Sequence, residues 1–171
     1  MCQNCRALTS VSFPELETCL TAGTSRFTRI FHSDAAGANT WPIAHLYLPK
    51  LVTFHRAAGT MANAEFNNMS IQSTASLRRR YVIHIGAEVT TPQTWTVGTS
   101  AAGSLFYYSR GLVEVYLHSV SNIINNFMFS SCAELTAIHF AAAYEESIRA
   151  TTGFATLWGR GAGAATVTFD L

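Results

Sequence analysis

The stretch LVEVYLHSVSNIINNFMFSSCAELTAIHF, residues 112–140, carries one apolar pattern twice. The positions i, i+3 and i+5 of the two copies are Leu112, Val115 and Leu117, then Leu135, Ile138 and Phe140. The copies are 23 residues apart (112 to 135), a period typical of repeat proteins whose coils each contribute one short strand. Because alternate side chains of a strand face one way, i+3 and i+5 point inward together, and i enters from the preceding bend. The stretch therefore predicts a β-rich solenoid.

The same pattern recurs along the chain with insertions. CxxLxxVxF at residues 5–13 matches CxxLxxIxF at residues 132–140, and residues 43–54 give a third clear copy. Fainter copies are centred on Phe31, Ser70, His84 and Thr168. We therefore predict about 7–8 irregular coils with one short strand in each.

Two regions depart from the repeat. Residues 86–111 are rich in Thr, Ser and Gly and predict either an irregular coil around Trp95 and Val97 or an excursion loop. Residues 142–151 predict a short helix, which would help to cover the last coil. The expected organisation is a single domain, 1–171, with coils over 1–141 and a C-terminal cap and last strand over 142–171.

Composition limits the classes of partner. Charged residues make up 12% of the chain and the net charge is +1, against about 25% charged residues in an average soluble domain. The run Arg78, Arg79 and Arg80 is shorter than a nucleic-acid patch and predicts a solvated bend, so we expect no nucleic-acid partner. No apolar segment is long enough for a membrane span, and the first ten residues lack the zones of a signal peptide.

The run VSNIINNFMFSSCAELTAIHF at 120–140 and the ending IHFAAAYEESIRATTGFATLWGRGAGAATVTFDL at 138–171 resemble the BspA-like (Treponema-type) leucine-rich repeat family of bacterial and protist surface proteins. The resemblance is good over 112–171, recognisable over 5–54 and weak over 72–111. It implies a curved, right-handed leucine-rich-repeat solenoid that binds other molecules and has no enzymatic activity. It also implies an extracellular or cell-surface location or, because related modules occur in phage proteins, a location on a virion.

Cysteines and histidines indicate no catalytic or metal chemistry. Cys2 and Cys5 form a CxxC, but no second pair accompanies it, and Cys5 shares a repeat position with Cys132, so a packing role is expected. No GxSxG or HExxH motif accompanies the histidines, and the two aspartates, Asp34 and Asp170, make an orienting acid scarce. We therefore expect no enzyme, no cofactor and no metal.

The outward strand positions are the candidate binding surface, because exposed aromatic side chains among small polar groups are typical of recognition surfaces. The i+4 positions are Ser12, Phe31, Tyr47, Ser70, His84, Tyr116, His139 and Thr168. A flanking row contains His45 and Glu114. The predicted partner is an extracellular protein or carbohydrate. The alternative is a structural spacer or cap of a longer surface protein or phage fibre, with no ligand of its own. A separate expectation is self-association through the uncapped amino-terminal coil.

Overall fold

The described part of the chain forms short parallel strands and one short helix. A computed structural model describes residues 7–21, 42–56, 79–96, 105–106, 109–124, 128–129, 131–151 and 165–171. The strands in these residues are β1 (Ser10–Ser12), β2 (Thr18–Thr21), β3 (Ala44–Leu48), β4 (Thr53–Arg56), β5 (Tyr81–Ile85), β6 (Gln93–Thr96), β7 (Leu112–Leu117), β8 (Val120–Ile124), β9 (Ala137–Phe140) and β10 (Thr166–Phe169). A 3-10 turn (Ala142–Tyr144) leads into the helix α1 (Glu145–Arg149).

Six strands form the main sheet, in the order β1-β3-β5-β7-β9-β10, and all its neighbours are parallel. Two smaller parallel sheets pair β2 with β4 and β6 with β8. Parallel neighbours require a crossover connection, and β2, β4, β6 and β8 lie in these connections.

The predicted leucine-rich-repeat solenoid with 7–8 coils and one strand per coil is wrong. The described residues form an α/β-like arrangement in which a six-stranded parallel sheet is accompanied by two small sheets and one short helix. The prediction allowed one strand per coil and so assigned no strand to the segments that follow the main strands, where β2, β4, β6 and β8 lie. Val120 and Ile123 stand three residues apart, a spacing that fits an inward bend, yet both belong to the strand β8.

The core lies on the inner side of the main sheet. The middle inward positions of the sheet are in register: Val11, Leu46, Ile83, Val115, Ile138 and Val167. The four central members of this set have no exposed surface, and the two on edge strands are half-buried. Inward placement of the i, i+3 and i+5 residues over 112–140 is therefore confirmed, because all six are buried.

The short helix packs against this core. The prediction of a helix over 142–151 is confirmed in outline, although its first turn is 3-10. Ile148 is fully buried, and the hydroxyl of Ser147 donates to the carbonyl oxygen of Ser121 on β8 at 2.6 Å. The expected i, i+4 ion pair is present, with 2.8 Å between Arg149 Nε and Glu145 Oε1.

The bends on either side of β5 contain two features that were not predicted from the sequence, one at Arg79 and one at Gly86. Arg79 is buried, and its guanidinium donates to the carbonyl of Leu8, so the prediction of a solvated bend is wrong at this residue. Gly86 follows β5 with a positive φ of 74°, and a Cβ atom there would lie 2.3 Å from the hydroxyl oxygen of Ser119. Only glycine combines this backbone conformation with such a close approach.

The region 86–111 contains a strand in the residues that are described. Trp95 is buried on β6, which pairs with β8, so the interpretation of this part as pure loop is wrong. Val97, Phe31, Ser70, Cys2 and Cys5 lie outside the described residues. The single-domain organisation stays a prediction.

Candidate functional site

The predicted outward positions meet on one face of the main sheet. Their register partners run across the six strands in the order Ser12, Tyr47, His84, Tyr116, His139 and Thr168. In the flanking row, His45 on β3 aligns with Val82 on β5, which in turn aligns with Glu114 on β7. The two strand rows place eight of the ten predicted binding residues together, whereas Phe31 and Ser70 lie outside the described part.

Four of these side chains stack into what we call the aromatic ladder, namely Tyr47, His84, Tyr116 and His139. The ring centroids are separated by 4.6 Å from Tyr47 to His84, 4.5 Å from His84 to Tyr116 and 4.2 Å from Tyr116 to His139. The interplanar angles are 13°, 15° and 4° in the same order. The separations follow the spacing of neighbouring strands, about 4.8 Å, so the sheet itself holds the rings in contact.

Stacking decides which parts of the rings a ligand can reach. The ring planes are nearly parallel across the strands, so each inner ring has both faces covered by its neighbours. The accessible parts of the inner rings are therefore their polar edges. Tyr47 is an end ring of the ladder. Its register partner on β1 is Ser12, and Tyr47 is 37% exposed.

A pair of imidazoles lies beside the ladder. His45 Nδ1 is 3.2 Å from His84 Nε2, and the two rings are stacked with their centroids 5.5 Å apart. Burial is the main cause that lowers the pKa of His84 from 6.5 to about 4, and the nearby His45 and His118 add to it. The His84 ring is therefore neutral at pH 7, and it can stack between two tyrosines without bringing a charge into the ladder.

The β10 end of the ladder is a small polar cluster. His139 Nδ1 lies 3.0 Å from Asp170 Oδ1 and 2.8 Å from Thr168 Oγ1, and the Thr168 hydroxyl donates to Asp170 Oδ1 at 2.9 Å. The Thr168 hydroxyl donates its proton to the Asp170 carboxylate. Because a carboxylate only accepts hydrogen bonds, we assign the proton of the contact between His139 and Asp170 to Nδ1 of the imidazole. The hydrogen bonds from His139 and Thr168 lower the pKa of Asp170.

This cluster is not the arrangement of a nucleophile, base and acid. In such a triad the hydroxyl and the carboxylate bond to different nitrogens of the imidazole. Here both contact Nδ1, and Nε2 of His139 is buried without a hydrogen-bond partner among the described residues. The geometry fixes the orientation of His139 and supplies no activated hydroxyl.

Two carboxylates lie on or beside the outward positions of the main sheet that the structure describes. Glu114 accepts a hydrogen bond from the hydroxyl of Tyr116 at 2.9 Å, and Asp170 stands just after β10. Burial, followed by the contact with Glu114, raises the pKa of Tyr116. The outward positions of the six described strands contain neither Lys nor Arg.

Asp170 and His118 are the residues near this face that sequence reasoning missed. Asp170 lies two residues after Thr168. Because alternate side chains of a strand face the same way, continuing the strand by two residues would have placed Asp170 on the outward face. His118 follows β7, and its ring lies 6.5 Å from that of Tyr116. Its contact depends on the bend after the strand, which the sequence does not define.

The chain was compared with known protein families, curated proteins and solved structures. No family model, curated protein or solved structure matches the chain. The resemblance to the BspA-like family therefore stays a prediction. Within the described ranges, no three His, Cys, Asp or Glu side chains are grouped as metal ligands, and no helix has the length and apolar character of a membrane span.

Proposed function

We propose that the outer face of the six-stranded sheet is a recognition surface, which binds an extracellular protein or glycan without chemically converting it. The observation that carries the proposal is the aromatic ladder, in which Tyr47, His84, Tyr116 and His139 form one continuous, partly exposed strip. Aromatic groups give large contact area at low entropic cost, and their polar edges add hydrogen bonds. A location at a cell surface or on a virion belongs to the proposal and rests on the sequence resemblance alone.

Hydrogen-bonding groups around the ladder support this function. Glu114, Thr168 and Asp170 are already engaged with ladder rings, so their side chains are held in defined positions before a ligand arrives. Preorganised groups lose less entropy on binding than mobile ones. The surface thus offers a rigid pattern of donors and acceptors.

A structural role without any ligand is the second candidate. The observation that favours it is the mutual coverage of the inner rings, since Tyr116 contacts His84 on one side and His139 on the other. Each stacked pair stabilises the sheet by about 0.5–1.5 kcal/mol. The ladder could thus serve to hold neighbouring strands together.

One binding experiment separates the two candidates. The full chain and its triple variant Tyr47→Ala, Tyr116→Ala, His139→Ala are applied to immobilised extracellular-matrix proteins and to an oligosaccharide array. The control is Glu145→Ala, which removes one member of an exposed ion pair on α1 and keeps the Arg149 guanidinium over the Phe169 ring of β10. Recognition predicts a bound probe whose signal is lost in the triple variant and kept in the control. Equal binding by the triple variant, or no bound probe, contradicts the proposal and favours the structural role.

A further inference from the structure

We infer that the recognition surface takes a neutral sugar ring, which stacks on the open ring face of Tyr47 at the β1 end of the aromatic ladder. The inference rests on the proposed function, because it names the ligand class and the contact point of the same surface.

Tyr47 and His139 are the two end rings of the ladder, and each has a short side chain on its outer side. His139 is hydrogen-bonded there to Thr168 and Asp170, whereas Tyr47 is the exposed end ring. One face of its ring is covered by His84, at 4.6 Å between centroids. On the opposite side the register partner on β1 is Ser12, whose side chain is too short to cover a six-membered ring. Tyr116, by contrast, is covered on both sides, at 4.5 Å and 4.2 Å. Tyr47 therefore continues the stack outward and presents a flat surface to a ligand.

The groups around this ring face suit a polyhydroxylated ligand. Ser10 and Ser12 are exposed on β1, and Ser10 is the register partner of His45. His45 contacts His84 through Nδ1, which leaves its Nε2 for a ligand. Hydroxyl groups both donate and accept hydrogen bonds, and an imidazole edge does one or the other. A sugar ring has an apolar C–H face for the tyrosine and hydroxyls at its rim for these groups.

The charge distribution favours a neutral ligand at this position. The outward positions of β1 and β3 are Ser10, Ser12, His45 and Tyr47, and none is an acid, a lysine or an arginine. The carboxylate of Glu114 is on β7, two strands beyond β3, and Asp170 follows β10 at the far edge. The ion pair of Lys50 with Glu15 follows these two strands, and its charges compensate each other at 2.7 Å between Nζ and Oε2. The outward positions of β1 and β3 thus give neither an acidic sugar nor a cationic peptide an opposite charge to pair with, and Coulomb attraction to the more distant carboxylates declines with distance and with screening by salt.

Two variants test the contact with Tyr47 and leave the inner rings of the aromatic ladder, His84 and Tyr116, unchanged. Tyr47→Leu keeps an apolar side chain and removes the ring. Ser12→Phe keeps Tyr47 and places a ring against its open face. The matched control is Thr166→Phe, which adds the same side chain at an exposed outward position of β10, the opposite edge strand.

The probes are neutral hexose and N-acetylhexosamine oligosaccharides, their sulfated and sialylated counterparts, and an Arg/Lys-rich peptide. We expect the intact chain to bind a neutral oligosaccharide. Tyr47→Leu and Ser12→Phe should each weaken that binding by about tenfold or more, as expected for loss of one stacked aromatic contact. Thr166→Phe should leave the affinity within about twofold.

The outcomes distinguish this inference from the proposed function. Binding of a protein or peptide probe that the triple ladder variant abolishes, with no neutral sugar bound, would keep the recognition surface and overturn the sugar inference. Neutral sugar binding that persists in Tyr47→Leu and Ser12→Phe would also overturn it. Absence of any bound probe would overturn both.

Discussion

Acidification should destabilise the protein through His84 before carboxylate protonation contributes. The folded-state pKa of His84 is about 4, below its usual value of 6.5, chiefly because of burial. Between those two pH values the unfolded chain binds a proton that the folded chain does not, so stability decreases as the pH falls from about 6.5 to about 4. Burial also lowers the pKa of His118, which acts in the same direction.

The magnitude follows from the difference between the two pKa values of His84. One pKa unit corresponds to about 1.36 kcal/mol, so the full difference from 6.5 to about 4 is worth about 3 kcal/mol, of which about 2 kcal/mol is lost by pH 5. His84 is partly exposed, and solvent screening reduces this to about 1 kcal/mol between pH 7 and pH 5. For a chain of this size that corresponds to a decrease in Tm of about 2–4 °C.

Thermal unfolding at a series of pH values measures this effect. The control is His84→Phe, which keeps a ring between Tyr47 and Tyr116 and cannot be protonated. Its Tm should decrease less than that of the intact chain between pH 7 and pH 5, with the residual decrease due to groups such as His118. An equal decrease in both proteins would refute the assignment to His84.

Three further variants test the packing. Gly86→Ala should destabilise by about 1–3 kcal/mol, because φ is 74° and the new Cβ meets Ser119; denaturant unfolding measures it, and an unchanged midpoint would contradict the close approach. Ile138→Ala should cost about 2–5 kcal/mol by leaving a cavity in the buried column; a loss below 1 kcal/mol by the same method, less than any buried isoleucine truncation is expected to give, would argue against that burial. Arg79→Met should cost about 1–3 kcal/mol by leaving the carbonyl of Leu8 without its donor; a Tm equal to that of the intact chain would show that this bond contributes nothing.

Sequence periodicity was sufficient to find the inward side chains. Val115 and Ile138 were placed inward by alternation, and both are fully buried on adjacent strands of one sheet. Alternation could not define the fold class, because the same spacing fits a strand and a bend at Val120. The repeat alignment made Cys19 and Phe54 equivalent, and they are register partners of β2 and β4. The alignment did not show that these segments are strands, because strand formation depends on pairing with distant parts of the chain.

The candidate site shows the same division between local and non-local information. The outward position of Tyr47 follows from its place on a strand, and the sequence was enough for that. The repeat alignment placed Tyr47 and His84 in the same outward row, and they are register partners. It did not predict their stacking, because a strand centred on Ser70 was expected between them, whereas β3 pairs directly with β5. The burial of Arg79 depends likewise on the distant Leu8, so this residue was misread as solvated.

The most direct test of the recognition surface is an NMR titration of the full, isotope-labelled chain with a neutral oligosaccharide that the array identifies, following the ring signals of the tyrosines. We predict that the signals of Tyr47 shift most and those of Tyr116 less, while the signals of the buried Tyr81 on the inner side stay unchanged. Saturable shifts that leave Tyr47 and Tyr116 unaffected, or the absence of saturable shifts anywhere, would contradict it.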